Sequence, residues 1–157
     1  MHFEIERKFT VKGDFKCYSE KSIYVKQGYI STDPERTVRV RIAGDKGFIT
    51  IKGIADKSQM KRFEWEKEIP EYEAEELFSL CKKPVVEKTR YIVKYKNHIF
   101  EVDEFLGDND GLIIAEVELN SVDEKIELPE WIGEEVTGDK RFYNSYIALH
   151  PYNTWGK

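Results

Sequence analysis

The chain has 157 residues, and its 25 Lys+Arg against 30 Asp+Glu leave a formal net charge of -5. That length suits one domain over residues 1–157, and the near-balance of charge argues against a basic nucleic-acid binder and against an acidic disordered tail. Charged residues make up 35% of the chain, so the question is where so many mostly cancelling charges are placed.

No apolar stretch approaches the ~18 residues of a membrane helix. Residues 1–9 alternate charge with apolar side chains where a signal peptide would have an apolar core, so the expectation is a cytoplasmic protein with no membrane partner. From there the dominant pattern has period two, which predicts strands over residues 3–11, 23–31, 37–43, 47–52, 61–69, 85–95, 98–105 and 112–119. Gly44-Asp45-Lys46 and Lys96-Asn97 are turn-length connections that favour antiparallel hairpins over parallel crossovers. Residues 53–59 are polar and read as a loop. Two windows have helical spacing: 72–81, with Leu77, Leu80 and Cys81 near one face, and 140–149, with Phe142, Tyr146 and Leu149 following Asp139 as N-cap. The fold class is mainly β (α+β), with a few short helices.

Metal and nucleophile signatures built on Cys or His are weak. Cys17 and Cys81 are far apart and read as partly buried free thiols, and His2, His98 and His150 do not cluster. Gly133–Gly138 has the gap of a phosphate-binding Walker loop, but Asp139 stands where Lys is needed. Asp108-Asn109-Asp110-Gly111 suggests a calcium loop, but Leu106 occupies its first ligand position. Both are read as turns.

The distinctive feature is a set of like-charge dyads on strands: Glu4-Ile5-Glu6, Arg39-Val40-Arg41, Glu64-Trp65-Glu66, Glu101-Val102-Asp103 and Glu116-Val117-Glu118, with Lys88-Thr89-Arg90 of the same form. Side chains alternate faces along a strand, so both charges of a dyad share a face at a spacing of about 6.6 Å. At that spacing two like charges repel by about 0.6 kcal/mol in water, which a solvated face tolerates, and by about 2.5 kcal/mol at an effective dielectric of 20. Dyads that faced inward would need counter-charges: divalent cations on the acid pairs through hard oxygen ligands, and a polyanion on the arginine forks. Spacing alone does not choose between inward and outward.

These motifs resemble the CYTH, or triphosphate tunnel metalloenzyme, family, in its small stand-alone bacterial form. Glu4-Ile5-Glu6-Arg7-Lys8-Phe9 is similar to its ExExK signature. Gln27-Gly28-Tyr29, Arg39-Val40-Arg41, Ile51-Lys52-Gly53, Arg62-Phe63-Glu64-Trp65-Glu66, Lys88-Thr89-Arg90-Tyr91, Asp103, Glu116-Val117-Glu118 and Val136-Thr137-Gly138-Asp139-Lys140-Arg141 follow in the expected order. The resemblance implies a closed eight-stranded antiparallel β-barrel tunnel with charges pointing inward and a C-terminal helix. It also implies metal ligation by Glu4, Glu6, Glu116 and Glu118, with Asp103, Glu64 and Glu66 as further acids. Lys8, Arg39, Arg41, Lys52, Lys88 and Arg90 would then cradle a triphosphate. Tyr29 matches a tyrosine with a proton-accepting or substrate-covering role, and Lys88 is a candidate to orient or deprotonate water. Arg141 is read either as reaching the tunnel or as a solvated charge, and Glu101 is left out of the site.

The implied activity is Mg2+- or Mn2+-dependent hydrolysis of a small-molecule triphosphate, inorganic tripolyphosphate first and nucleoside triphosphates next, by a monomer or homodimer. Adenylyl cyclase and thiamine triphosphatase are alternatives within the fold, and a non-catalytic polyphosphate or nucleotide binder is the alternative outside catalysis. A barrel of the lipocalin kind would instead turn Ile5, Val40, Trp65, Val102 and Val117 into the lumen.

Overall fold

In the computed structural model, which describes residues 2–156, every period-two run is a strand; Met1 and Lys157, the ends of the expected domain, lie outside the described residues. The strands are β1 (Phe3–Val11), β2 (Ser19–Ser31), β3 (Arg36–Ala43), β4 (Lys46–Gly53), β5 (Lys61–Ile69), β6 (Val86–Tyr95), β7 (His98–Phe105) and β8 (Ile113–Glu118). β2 starts earlier than the alternation predicts because Ser19–Ser22 extends its ladder with β6 through a register shift. A ninth strand, β9 (Ile132–Glu135), is absent from the sequence expectation. It has four residues, one of them Gly133, and no alternation to betray it; its last three residues belong to the stretch expected to be a turn.

Neighbouring strands run β5-β4-β3-β2-β6-β7-β8-β1, and β5 pairs back onto β1 to close an eight-stranded antiparallel barrel. β9 covers the stretch of the β1 edge beyond β5, pairing at Phe9 and Val11. Two-residue turns join β3 to β4 and β6 to β7, with Gly44 at φ +64° and Lys96 at φ +54° supplying the left-handed conformation that such turns need.

The helices are shorter than the apolar spacing predicts. α1 (Glu71–Leu77) passes into a 3-10 turn at Phe78–Leu80. The expected helix over 140–149 is broken: Asp139 caps only a 3-10 turn, accepting from Arg141 N, and extended Tyr143 (ψ 135°) separates that turn from α2 (Asn144–Leu149). Of the thiols expected to be partly buried, Cys17 is exposed and Cys81 is buried.

The largest apolar core lies outside the barrel wall. Phe9, Phe100, Val102, Ala115 and Val117 project outward and are covered by Phe15, Leu119, Trp131 and Ile132. On the opposite flank Val40 and Ile42 pack under Ala74, Phe78 and Cys81. Gly28 makes the second contact possible: a Cβ there would lie 2.8 Å from Cys81 Cβ. Since Val40, Val102 and Val117 are buried beneath outer segments and Trp65 is 36% exposed, the lipocalin-like arrangement is overturned and the dyads face inward.

A third apolar layer is inside. Tyr29, Val86, Phe105, Leu112 and Ile114 continue the inward faces beyond the charges, and Phe142, Ile147 and Ala148 pack onto them. The segment carrying α2 thereby closes one end of the barrel.

Candidate active site

The barrel encloses a cavity of about 230 Å³ whose wall is almost wholly charged or polar. Its acids are Glu4, Glu6, Glu64, Glu66, Glu101, Glu116 and Glu118, and its bases are Lys8, Arg39, Arg41, Lys52, Arg62, Lys88 and Arg90. Strand order sorts them: β7, β8, β1 and β5 form an arc that is mainly acidic, while β4, β3 and β6 carry most of the bases. Every dyad therefore contributes to one space, and Tyr29 lines it as well.

Ladder register decides which charges neutralise each other within the wall. Lys52 stands opposite Glu64 and its Nζ lies 3.0 Å from Glu4 and 3.3 Å from Glu64. Lys8 stands opposite Glu116, at 3.8 Å, and donates to the Phe142 carbonyl at 3.0 Å. By contrast Glu6 faces Glu118 directly, and neither forms an ion pair among the described residues. Burial, together with the adjacent Glu116 and Glu4, raises the Glu6 carboxyl well above the carboxylate range. Burial and a hydrogen bond with Glu4 push Glu64 up to about 7. Glu118 is raised by burial and the nearby charge of Glu4. For Glu116 the upward push of burial is outweighed by Lys8 and Arg90, which hold it low.

The basic arc has unused donors. Arg39 and Arg41 point to the same side, and both approach Glu66, at 3.8 and 3.3 Å. Their Nε atoms are buried without a hydrogen-bond partner. Burial, with Arg39 and Arg90 alongside, lowers Arg41 to about 10, still cationic at neutral pH. Paired guanidinium donors of this kind are suited to an anion.

The structure separates three side chains from their expected places. Asp103 does not line the cavity: 1% exposed, it accepts two bonds from Arg90, at 2.7 and 2.9 Å, and lies 2.8 Å from Lys88. Its oxygens are turned to those two bases and away from the cavity in this structure. Glu101, left out on sequence grounds, does line the cavity, opposite Glu116. Arg141 pairs with Asp139 at 2.9 Å and stays outside the tunnel, as the solvated-charge reading has it.

Sequence reasoning also missed Arg62, Thr37, Thr50, Tyr143, Asn144 and Ser145. Arg62, directly opposite Glu4 in the ladder, shares the parity of Glu64 and Glu66, a signal that was available. Tyr143–Ser145 are brought in by the break in the terminal helix, which no spacing rule foretells.

Lys88 is fully buried, and burial lowers it to about 8 even though Asp103 pulls the other way. Tyr29 is 5% exposed within the apolar layer, and its hydroxyl forms no hydrogen bond among the described residues.

A divalent metal fits the chemistry of the acidic arc. Its donors are carboxylate oxygens suited to a hard cation, and the raised Glu6 carboxyl marks a crowding of acids that Lys52 and Lys8 do not fully offset. Among the described residues no three acidic, His or Cys side chains already converge at ligand spacing, since Glu4, Glu64 and Glu116 are turned toward lysines. A metal would have to draw them away.

Comparison with known proteins points one way. The sequence profile of the CYTH domain matches residues 2–143. The chain is 46% identical over 153 residues to an inorganic triphosphatase of Acetivibrio thermocellus, covering 97% of each chain. It is 37% identical over 150 residues to an inorganic triphosphatase of Nitrosomonas europaea, covering 93% of this chain and 97% of the relative. A crystal structure of an inorganic triphosphatase superposes with a TM-score of 0.65 at 36% identity, covering 92% of this chain and 97% of the other.

Proposed function

The chain belongs to the CYTH domain family, and from that premise we propose that it is a divalent-metal-dependent hydrolase of linear triphosphates, with inorganic tripolyphosphate its first substrate. The observation that carries this reading is the division of one cavity between paired arginines with unpartnered buried donors and a facing arc of carboxylates in which burial raises Glu6, Glu64 and Glu118. The first suits a polyanion and the second suits cations that accompany it.

In this reading Arg39, Arg41, Lys52, Lys8, Lys88 and Arg90 bind the phosphate oxygens. Phosphoanhydride cleavage needs positioning and neutralisation of charge more than covalent chemistry, which suits a wall without an activated nucleophile. Glu4, Glu6, Glu116 and Glu118 would hold the metal, Mg2+ or Mn2+, with Glu64 and Glu66 beside them. Once bound, it would neutralise phosphate charge and make a coordinated water more acidic. Lys88, brought down to about 8, is the residue we assign to accept or steer the proton of the attacking water. Tyr29 covers the substrate from the apolar layer.

Binding of tripolyphosphate would displace Glu66 from the arginines and leave Asp103 in place, because only Glu66 is at the solvent-facing surface of the wall. The barrel closes within one chain, and the protein is taken as a monomer or a homodimer. Residues 1–157 are taken as one functional domain acting in the cytoplasm; no helix among the described residues is long and apolar enough to cross a membrane.

Nucleoside triphosphates are the second reading, favoured by an apolar cavity of about 350 Å³ that shares Thr37, Arg62, Tyr143 and Ser145 with the tunnel and adds Ile54, Leu149 and His150. An organic group on the end of a triphosphate would find cover there.

The deciding experiment measures phosphate release and product identity from tripolyphosphate, ATP and thiamine triphosphate with Mg2+ or Mn2+. Tripolyphosphate is expected to yield pyrophosphate and phosphate, with activity reduced at least about a hundredfold in Lys52→Ala and Glu116→Gln. Tight binding without turnover would replace hydrolysis with a binding role. Formation of cyclic AMP as the main product would make the protein a cyclase.

A further inference from the structure

The closed end of the tunnel contains a neutral side chain that neither the dyads nor the base-rich cradle explains. Asn144, the first residue of α2, lines the cavity. Its Oδ1 accepts from Lys88 Nζ at 3.0 Å and from Gln27 Nε2 at 2.6 Å. An ammonium group only donates, so the amide atom that meets Lys88 must be the oxygen, and that oxygen in turn requires the NH2 group of Gln27. Two side chains, both 0% exposed, thus fix the orientation of the Asn144 amide.

This orientation has two consequences. Gln27 Oε1 is left buried without a partner, since turning the Gln27 amide over would set oxygen against oxygen. Asn144 Nδ2 makes no hydrogen bond to any described residue and is not among the buried unpartnered atoms, so its two N–H groups are open to the cavity. Lys88 is held from its far side by Asp103 at 2.8 Å. Gln27, Asn144, Lys88 and Asp103 therefore form a continuous relay that ties the terminal helix to strands β2, β6 and β7.

We propose that Asn144 is a substrate-positioning residue whose Nδ2 donates a hydrogen bond to a phosphate oxygen at the closed end of the tunnel while its Oδ1 holds Lys88 beside that phosphate. The inference rests on the triphosphate reading of the site. The cations of the wall attract phosphate wherever it lies along the tunnel. A neutral, directional donor at the closed end adds what they lack, a fixed register for the terminal phosphate.

A double-mutant cycle tests this, with tripolyphosphate binding measured by calorimetry in the absence of metal and KM and kcat measured in its presence. Asn144→Ala is expected to weaken binding and raise KM about tenfold, the loss of one charge-assisted hydrogen bond. In a Lys88→Met background the same substitution is expected still to cost at least about fivefold, because Nδ2 contacts the phosphate directly. If Asn144→Ala costs nothing once Lys88 is gone, Asn144 is only a brace for the lysine and the proposal is overturned. Asn144→Asp serves if Asn144→Ala does not fold: it keeps an oxygen for Lys88 and Gln27 but replaces the Nδ2 donor with an acceptor, so a KM increase of at least about tenfold supports the proposal while an unchanged KM overturns it. Failure of the wild-type protein to bind or hydrolyse tripolyphosphate would instead refute the function on which the inference stands.

Discussion

Metal entering this tunnel should expel protons, because burial raises two carboxyls of the acidic arc, Glu6 and Glu64. Glu64 is raised to about 7 by burial and its bond with Glu4, so its ionised fraction is about one in eleven at pH 6 and about ten in eleven at pH 8. If Glu64 alone must ionise, metal affinity falls about tenfold between pH 8 and pH 6. Glu6 is raised as well, by burial and by Glu116 and Glu4, so its ionisation steepens the same pH dependence. Titration of Mn2+ into the metal-free protein, in two buffers of different ionisation enthalpy, reads both the affinity and the protons released. At least about half a proton per bound ion is expected at pH 7 from Glu64, and that component should be lost in Glu64→Gln. An affinity independent of pH, with no proton released, would refute the reasoning. Stability carries the same signs. The raised carboxyls of Glu6, Glu64 and Glu118 favour the metal-free fold below their unfolded values near pH ~4.3, and that contribution is lost as pH rises through their folded values. Added Mn2+ should therefore raise Tm more at pH 8 than at pH 6.

Other consequences follow from the wall itself. Asp103→Asn removes the buried partner of Lys88 and Arg90 and should destabilise the protein by about 3–5 kcal/mol in thermal or denaturant melts. Its Mn2+ affinity should stay within about twofold of wild type; a larger loss would restore Asp103 as a ligand. Arg41→Lys keeps a charge but removes the fork and the buried Nε donor, so kcat/KM for tripolyphosphate should fall about tenfold or more. Wild-type kinetics in that variant would mean that the site uses Arg41 as a point charge. Gly28→Ala drives a Cβ to 2.8 Å from Cys81 Cβ and should cost about 1–3 kcal/mol of stability, with a smaller loss when Cys81→Gly is added; an unchanged Tm would show that α1 yields freely.

Alternation along the chain reveals strands and the sharing of a face, and it stops there. Glu64 and Glu66 must lie on one side of β5, but parity says nothing about which side is wet. The deciding residues are elsewhere: Phe15, Trp131 and Ile132 over one flank and Ala74 and Phe78 over the other. They come from loops, from the four-residue β9 and from α1 with its 3-10 extension, whose own spacing carries no sign of what they cover. The resemblance to a tunnel family supplied the inward choice that electrostatics at 6.6 Å leaves open. Cross-strand register is equally invisible from one strand. Glu101 and Asp103 have the same parity, but the ladder sets Asp103 opposite Arg90 and Glu101 opposite Ile92 and Glu116. One acid is thereby absorbed into the wall and the other is left to the cavity. At the C-terminus the apolar spacing of 140–149 names Phe142, Tyr146 and Leu149, of which Phe142 joins the inner layer while Leu149 is 45% exposed and Ile147 and Ala148 pack there instead. It conceals the extended Tyr143 between them. That break is what turns Asn144 toward Lys88, so the polar contact at the closed end exists because the expected helix is interrupted, and a sequence that completed the helix would lose it.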